Sequence, residues 1–281
     1  MLEDDAMDRI AKRYERFAAA MRADDPLSAA EEFARMCQLA RRYRLSLPSR
    51  AVANLAEGWI EFFWMARRHD MMLRAAEDAE KALGKDPEWS FARGEALFYL
   101  GRFDEASEVL EPLTVEDFED PMLFYLLACL AERRGEDRTA GRLFKTAHRL
   151  DPEQYPLPQP IDEQTAIAIY HQCLSELPEE IQWNLNEVPI YVSPFPTCEL
   201  LHSFSPPLDP LLMGLFVGQP AGEPESSWAS DQPRILLFHK NIAKQSGDLE
   251  ILEEELRKTL FHEVGHYLGF DEDELEEMGL G

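Results

Sequence analysis

The spacing of apolar positions changes once along this chain. Through residues 1–150 they recur at intervals of three and four, which predicts helix after helix, and only five prolines interrupt them. Beyond residue 150 lie fourteen of the nineteen prolines, and the apolar runs shorten. "VPIYV" (188–192), "GLFVG" (214–218) and "RILLF" (234–238) predict short strands. The last is apolar on both alternating faces, as a strand covered on two sides would be. "DEQTAIAIYHQCLSEL" predicts a helix with Asp162 at its N-cap. A longer helix starts near Asp248, with Leu252, Leu256, Leu260, Val264 and Leu268 as its buried stripe. "QPAGEPESSWASDQP" (219–233) reads as a mobile loop. Between the two halves, "DPEQYPLPQPID" (151–162) has four prolines in twelve positions and reads as an extended connector. The expected fold class is α+β: an all-α helical domain over 1–152, a Pro-rich linker over 153–162, and a small mixed domain over 163–281.

The helical half repeats. Asp86-Pro87 recurs as Asp120-Pro121, 34 residues on, and Gly101 and Ala106 recur as Gly135 and Ala140 at the same interval. The small residues fall where two antiparallel helices must turn and cross closely, and Leu110 and Phe144 fill the next layer. A weaker preceding copy runs from about Asn54 and carries Trp59 and Phe62. The pattern resembles the tetratricopeptide repeat, which implies stacked helix pairs that bind a peptide or protein partner. The aromatic stripe Trp59, Phe62, Phe63, Trp64, Phe98 and Tyr99 reads as solenoid core. The alternative is a ligand groove built from the first helix of each repeat.

Charge narrows the partners. With 54 Asp+Glu against 28 Lys+Arg, the formal charge is -26, so the chain cannot neutralise phosphates; nucleic acid and anionic membranes are excluded as expected partners. Four scattered cysteines form no C-x-x-C pair, and neither a signal peptide nor an apolar run approaching about 18 residues is visible. A cytoplasmic protein is expected.

The chemistry concentrates in "LRKTLFHEVGHYLGFDEDELEE" (256–277), which carries H-E-x-x-H followed by six acids in seven residues. At about 100° per residue, His262 and His266 lie off the leucine stripe and one turn apart on a shared face. Two neutral imidazoles so placed can reach one zinc ion, while Glu263, rotated off them, is positioned to take a proton from water as it attacks a carbonyl. Gly265 lies between them, where another backbone can come close. His69, His148, His171 and His202 read as structural or solvated; His239 and, more weakly, Tyr267 are candidates for stabilising an oxyanion.

"HEVGHYLGFDEDEL", with "LPEEIQWNLNEVPIYV", "GLFVG" and "RILLFHKNI", resembles the small bacterial zincin-like metallopeptidases, the minimal metalloproteases with an H-E-x-x-H-x-x-G-x-x-D type motif. The resemblance covers roughly residues 163–278. It implies His262 and His266 as zinc ligands, Glu263 as general base, and Gly269 as the end of the active-site helix. Glu272 stands where the family's carboxylate ligand is usually Asp, and Tyr267 where a second histidine is frequent, a change without consequence if its side chain points to solvent. Glu272 and its neighbour Asp271 are both open as third ligand. Glu272 is favoured, because D-x-x-E from Asp271 to Glu274 is a capping-box pattern that occupies Asp271. The function implied is zinc-dependent hydrolysis of peptide bonds, with the repeats recruiting substrate or partner. Its rival is a repeat scaffold whose zinc site is structural or vestigial.

Overall fold

The structure, a computed structural model, describes residues 2–23, 25–43, 49–115, 118–221 and 232–280. Most of the segment expected as a mobile loop (219–233) lies outside them. The described chain divides into two compact units, residues 1–130 with 205–207, and residues 131–204 with 208–281. No described helix is long and apolar enough to cross a membrane.

The first unit is helical: α1 (Leu2–Arg22), α2 (Pro26–Tyr43), α3 (Ser49–Met65), α4 (His69–Leu83), α5 (Pro87–Tyr99), α6 (Phe103–Leu110), a 3-10 turn (Glu111–Val115), and most of α7 (Pro121–Arg133). The 34-residue interval is repeated in the backbone. Asp86 caps α5 by accepting from Glu88 N (3.0 Å), and Asp120 caps α7 by accepting from Met122 N (2.7 Å), each with proline next. Gly101 and Gly135 end the helices at φ 70° and 75°, where a side chain is disfavoured. The same bond pair closes each turn: Arg102 N to Leu97 O and Glu136 N to Ala131 O, both 2.9 Å. At Gly94 a Cβ would stand 2.4 Å from Leu110 Cδ2, so α5 and α6 approach as closely as a glycine allows.

Trp59, Phe63 and Phe98 are fully buried, as read from the aromatic stripe. Trp64 departs from that reading. It is 42% exposed, and its indole N–H donates to Glu95 (2.7 Å).

The second unit begins with the last turn of α7 and α8 (Asp137–Leu150), upstream of the connector expected at 153–162. That connector lies inside the unit, for a reason of polar contacts. Glu132 forms an ion pair with Lys244, whose side chain is 1% exposed (2.8 Å). Arg133 donates to Pro196 O and Pro210 O. Gln159 donates from its backbone to Ala243 O and from its side chain to Gly247 O. Then follow α9 (Glu163–Glu176), α10 (Glu179–Leu185), β1 (Ile190–Ser193), α11 (Cys198–His202), β2 (Gly214–Val217), β3 (Arg234–Phe238), α12 (His239–Ala243), α13 (Leu249–Leu268) and α14 (Glu272–Glu277).

The sheet order is β1-β3-β2, with β1 parallel and β2 antiparallel to β3. Ile235 and Leu237 of β3 point into a core shared with Tyr170 of α9 and with Leu252, Leu256, Leu260 and Val264 of α13. The leucine stripe of α13 therefore lies where its spacing put it, which turns the opposite face outward. Asp162 and Asp248 cap α9 and α13 through Thr165 N (2.7 Å) and Ile251 N (2.9 Å).

Candidate metal centre

On that outward face, His262 and His266 stand one turn apart with their Nε2 atoms 2.9 Å from each other. Each ring is held from behind. His262 Nδ1 donates to Leu280 O (2.9 Å) and His266 Nδ1 to Phe270 O (3.2 Å). With the two Nδ1 atoms turned to those carbonyls, the two Nε2 atoms face each other and are the ones available as metal donors. A metal ion is one partner that two such nitrogens can share. Glu272 brings its carboxylate to the same place, Oε1 at 3.3 Å from His266 Nε2 and Oε2 at 3.7 Å from His262 Nε2. Among the described residues these three form the one group able to hold a metal ion. Two imidazoles and a carboxylate are the donor set zinc takes when a coordination position is left open.

The chain is built to bring Glu272 there. Gly269 ends α13 in the left-handed region (φ 93°) and turns the backbone. Asp271 then accepts from Glu274 N, and Glu274 accepts from Asp271 N, both at 2.9 Å: the capping box forms. Leu275, fully buried, seats α14 against Gly265, where a Cβ would lie 2.4 Å from its Cδ2. The close neighbour at Gly265 is thus a side chain, not the backbone that the sequence led one to expect.

Glu263 sits beside this triad but turns inward, 6% exposed. It packs against the edge strand: Phe216 N–H donates to it, and a Cβ on Gly214 would lie 2.6 Å from its Oε1. Burial pushes its carboxyl up to about 7, the Phe216 bond pulls it back, and the charge of Glu272 adds to the rise. A cavity of about 450 Å³ opens over the histidines, Glu263, Glu272 and the β2 residues Leu215 and Phe216.

Residues 185–281 match the family of zincin-like metallopeptidases. The match starts later than the 163 implied by resemblance, yet α9 contributes to the same core through Ala166, Tyr170 and Cys173. The chain is also similar to a solved structure titled "MamA MSR-1 C2", at 18% identity and a TM-score of 0.31, over 52% of this chain and 98% of that one. No curated protein matches.

Within the zincin-like segment, both oxyanion candidates are placed elsewhere. His239 is 2% exposed, its pKa lowered by burial, and it does not line the cavity. Tyr267 is buried, packs edge-on to Phe216 at 5.9 Å, and donates its hydroxyl to Asn184 O (3.1 Å). Sequence reasoning missed the carbonyls of Phe270 and Leu280, which carry no residue-type signal. It also missed Gly214, for which a glycine opening a strand was a usable sign.

Proposed function

We propose that this protein is a zinc-dependent metallopeptidase with His262, His266 and Glu272 as metal ligands and Glu263 as general base. The observation that carries the reading is the pair of mutually facing Nε2 atoms, closed by Glu272, with a buried carboxylate beside them. Zinc, when bound, supplies Lewis acidity that acidifies water and polarises a carbonyl. Glu263 takes the proton at its carboxylate and hands it to the departing amide nitrogen; its enclosure by Phe216 and Gly214 fixes where that exchange occurs. β2 is the sheet's edge strand and lines the cavity, so an extended peptide has backbone groups to pair with. A structural zinc site would have no use for such a base. The helical unit serves recruitment of substrate or partner.

Metal analysis of the purified chain, paired with cleavage of a peptide library, tests this. Zinc should co-purify, a chelator should abolish cleavage, and added zinc should restore it. Cleavage that survives removal of the metal would overturn the reading.

Gly214→Ala separates the base from the metal. The added Cβ meets Glu263 Oε1 at 2.6 Å, Glu263 Cγ at 2.8 Å and Thr259 Cγ2 at 2.9 Å, so the carboxylate must shift. Gly214 has no positive φ, so space alone is at stake. Zinc content should stay at the wild-type value, while kcat falls by roughly a hundredfold, the scale of a misplacement near 1 Å. An unchanged kcat would show that Glu263 does not need its present position.

A further inference from the structure

The first unit holds a groove of about 560 Å³ along α3 and α5. Glu57, Glu61, Glu88, Glu95 and Glu119 line it, and among the described residues no lysine or arginine does. Aromatic side chains line it with these acids: Trp64, and the pair Phe91 and Phe118 with centroids 5.3 Å apart. Trp64 is turned out of the core that Trp59 and Phe63 fill, and its bond to Glu95 fixes it at the rim.

Glu95 is the buried acid of this wall. It is only 7% exposed, yet it belongs to the groove wall. One of its oxygens accepts from the Trp64 indole, and among the described residues no cation and no second donor meets it. Burial pushes its carboxyl up to about 7, with Asp120 adding to the rise. A carboxylate enclosed without counter-charge is costly, and a cation entering the groove would relieve that cost.

The form of the cation follows from the arrangement. The carboxylates do not converge on a point, since among the described residues only His262, His266 and Glu272 do so. A compact divalent ion therefore does not fit. A cation on an apolar stem does, with the stem along ring faces and the head among carboxylates. We propose that this groove binds lysine or arginine side chains of a basic peptide segment, a proposal that rests on the recruiting role of the helical unit.

The test titrates the full-length protein with a labelled peptide of lysine, glycine and alanine, read by anisotropy. Glu61→Gln/Glu119→Gln removes two exposed groove charges and should weaken binding roughly tenfold. Glu253→Gln/Glu254→Gln removes the same charge from an exposed face of α13 and should weaken it by less than about twofold. Equal losses from the two pairs would mean diffuse attraction to an acidic chain and overturn the proposal, as would absence of binding. An acidic peptide that bound instead, and was lost in Trp64→Ala, would preserve a recruiting role while overturning the basic side chain as its target. Zinc content and hydrolysis of a neutral peptide should remain at wild-type values in the groove variant, so failure here leaves the peptidase reading standing.

Discussion

Glu263→Gln should keep zinc at about one ion per chain and remove peptide hydrolysis, with kcat lower by at least about a hundredfold. Glutamine has nearly the shape of glutamate, and its Oε1 can still accept the Phe216 N–H that holds Glu263 now. What it loses is basicity. The side chain is almost fully buried, so replacing a carboxylate by a neutral amide removes a desolvated charge and should leave the fold intact. Substrate affinity should move little, because the change acts on a proton transfer and not on ground-state contacts. His262→Ala and His266→Ala should behave differently, losing the metal itself, since each supplies a bare Nε2 to the shared point. Metal analysis and single-turnover cleavage on the three variants decide the matter. If Glu263→Gln also emptied the site, Glu263 would be a ligand and the division of roles would be wrong.

Much of this architecture was legible where local rules act alone. The strands at 190–193, 214–217 and 234–238 fall on the apolar runs that predicted them, the first reaching one residue beyond its run, and Asp162, Asp248 and Asp271 cap the helices they precede. These outcomes depend on a residue and its near neighbours, so the order of residues carries them. The stripe of α13 was legible for the same reason: an apolar residue at every fourth position fixes one buried face, while the burial of Glu263 and Tyr267 off that stripe comes from their contacts with β2.

What was not legible depends on distant partners. Proline content marks 151–162 as extended, but it cannot show that Gln159 bonds to Ala243 and Gly247, or that Glu132 finds Lys244. Those contacts draw the second unit back to Ala131, ahead of the connector. Tyr267 directly follows His266, but its burial is set by Phe216 and Asn184, far away in sequence. Trp64 illustrates the converse. It follows two aromatic positions that pack inward, and Glu95, 31 residues on, holds it at the surface.

Glu272→Ala should lower zinc affinity at least about tenfold, while Asp271→Ala should lower it only slightly and cost about 1 kcal/mol of stability instead. The two acids are adjacent, so composition and charge do not separate them; their occupations do. Asp271 accepts from Glu274 N and has its own N–H bonded to Glu274 Oε2, so its carboxylate is committed to starting α14. Glu272 is the first residue of that helix, with its side chain 73% exposed and its oxygens 3.3 Å and 3.7 Å from the two Nε2 atoms. It makes no bond that binding a metal would have to break. Asp271→Ala loosens the first turn of α14, yet Leu275 against Gly265 still anchors the helix, so Glu272 stays within reach. Competition with a chromophoric chelator measures the first effect and urea denaturation the second. Metal lost in Asp271→Ala and kept in Glu272→Ala would reverse the assignment, making the capping residue the ligand and the exposed glutamate part of the solvated acidic face.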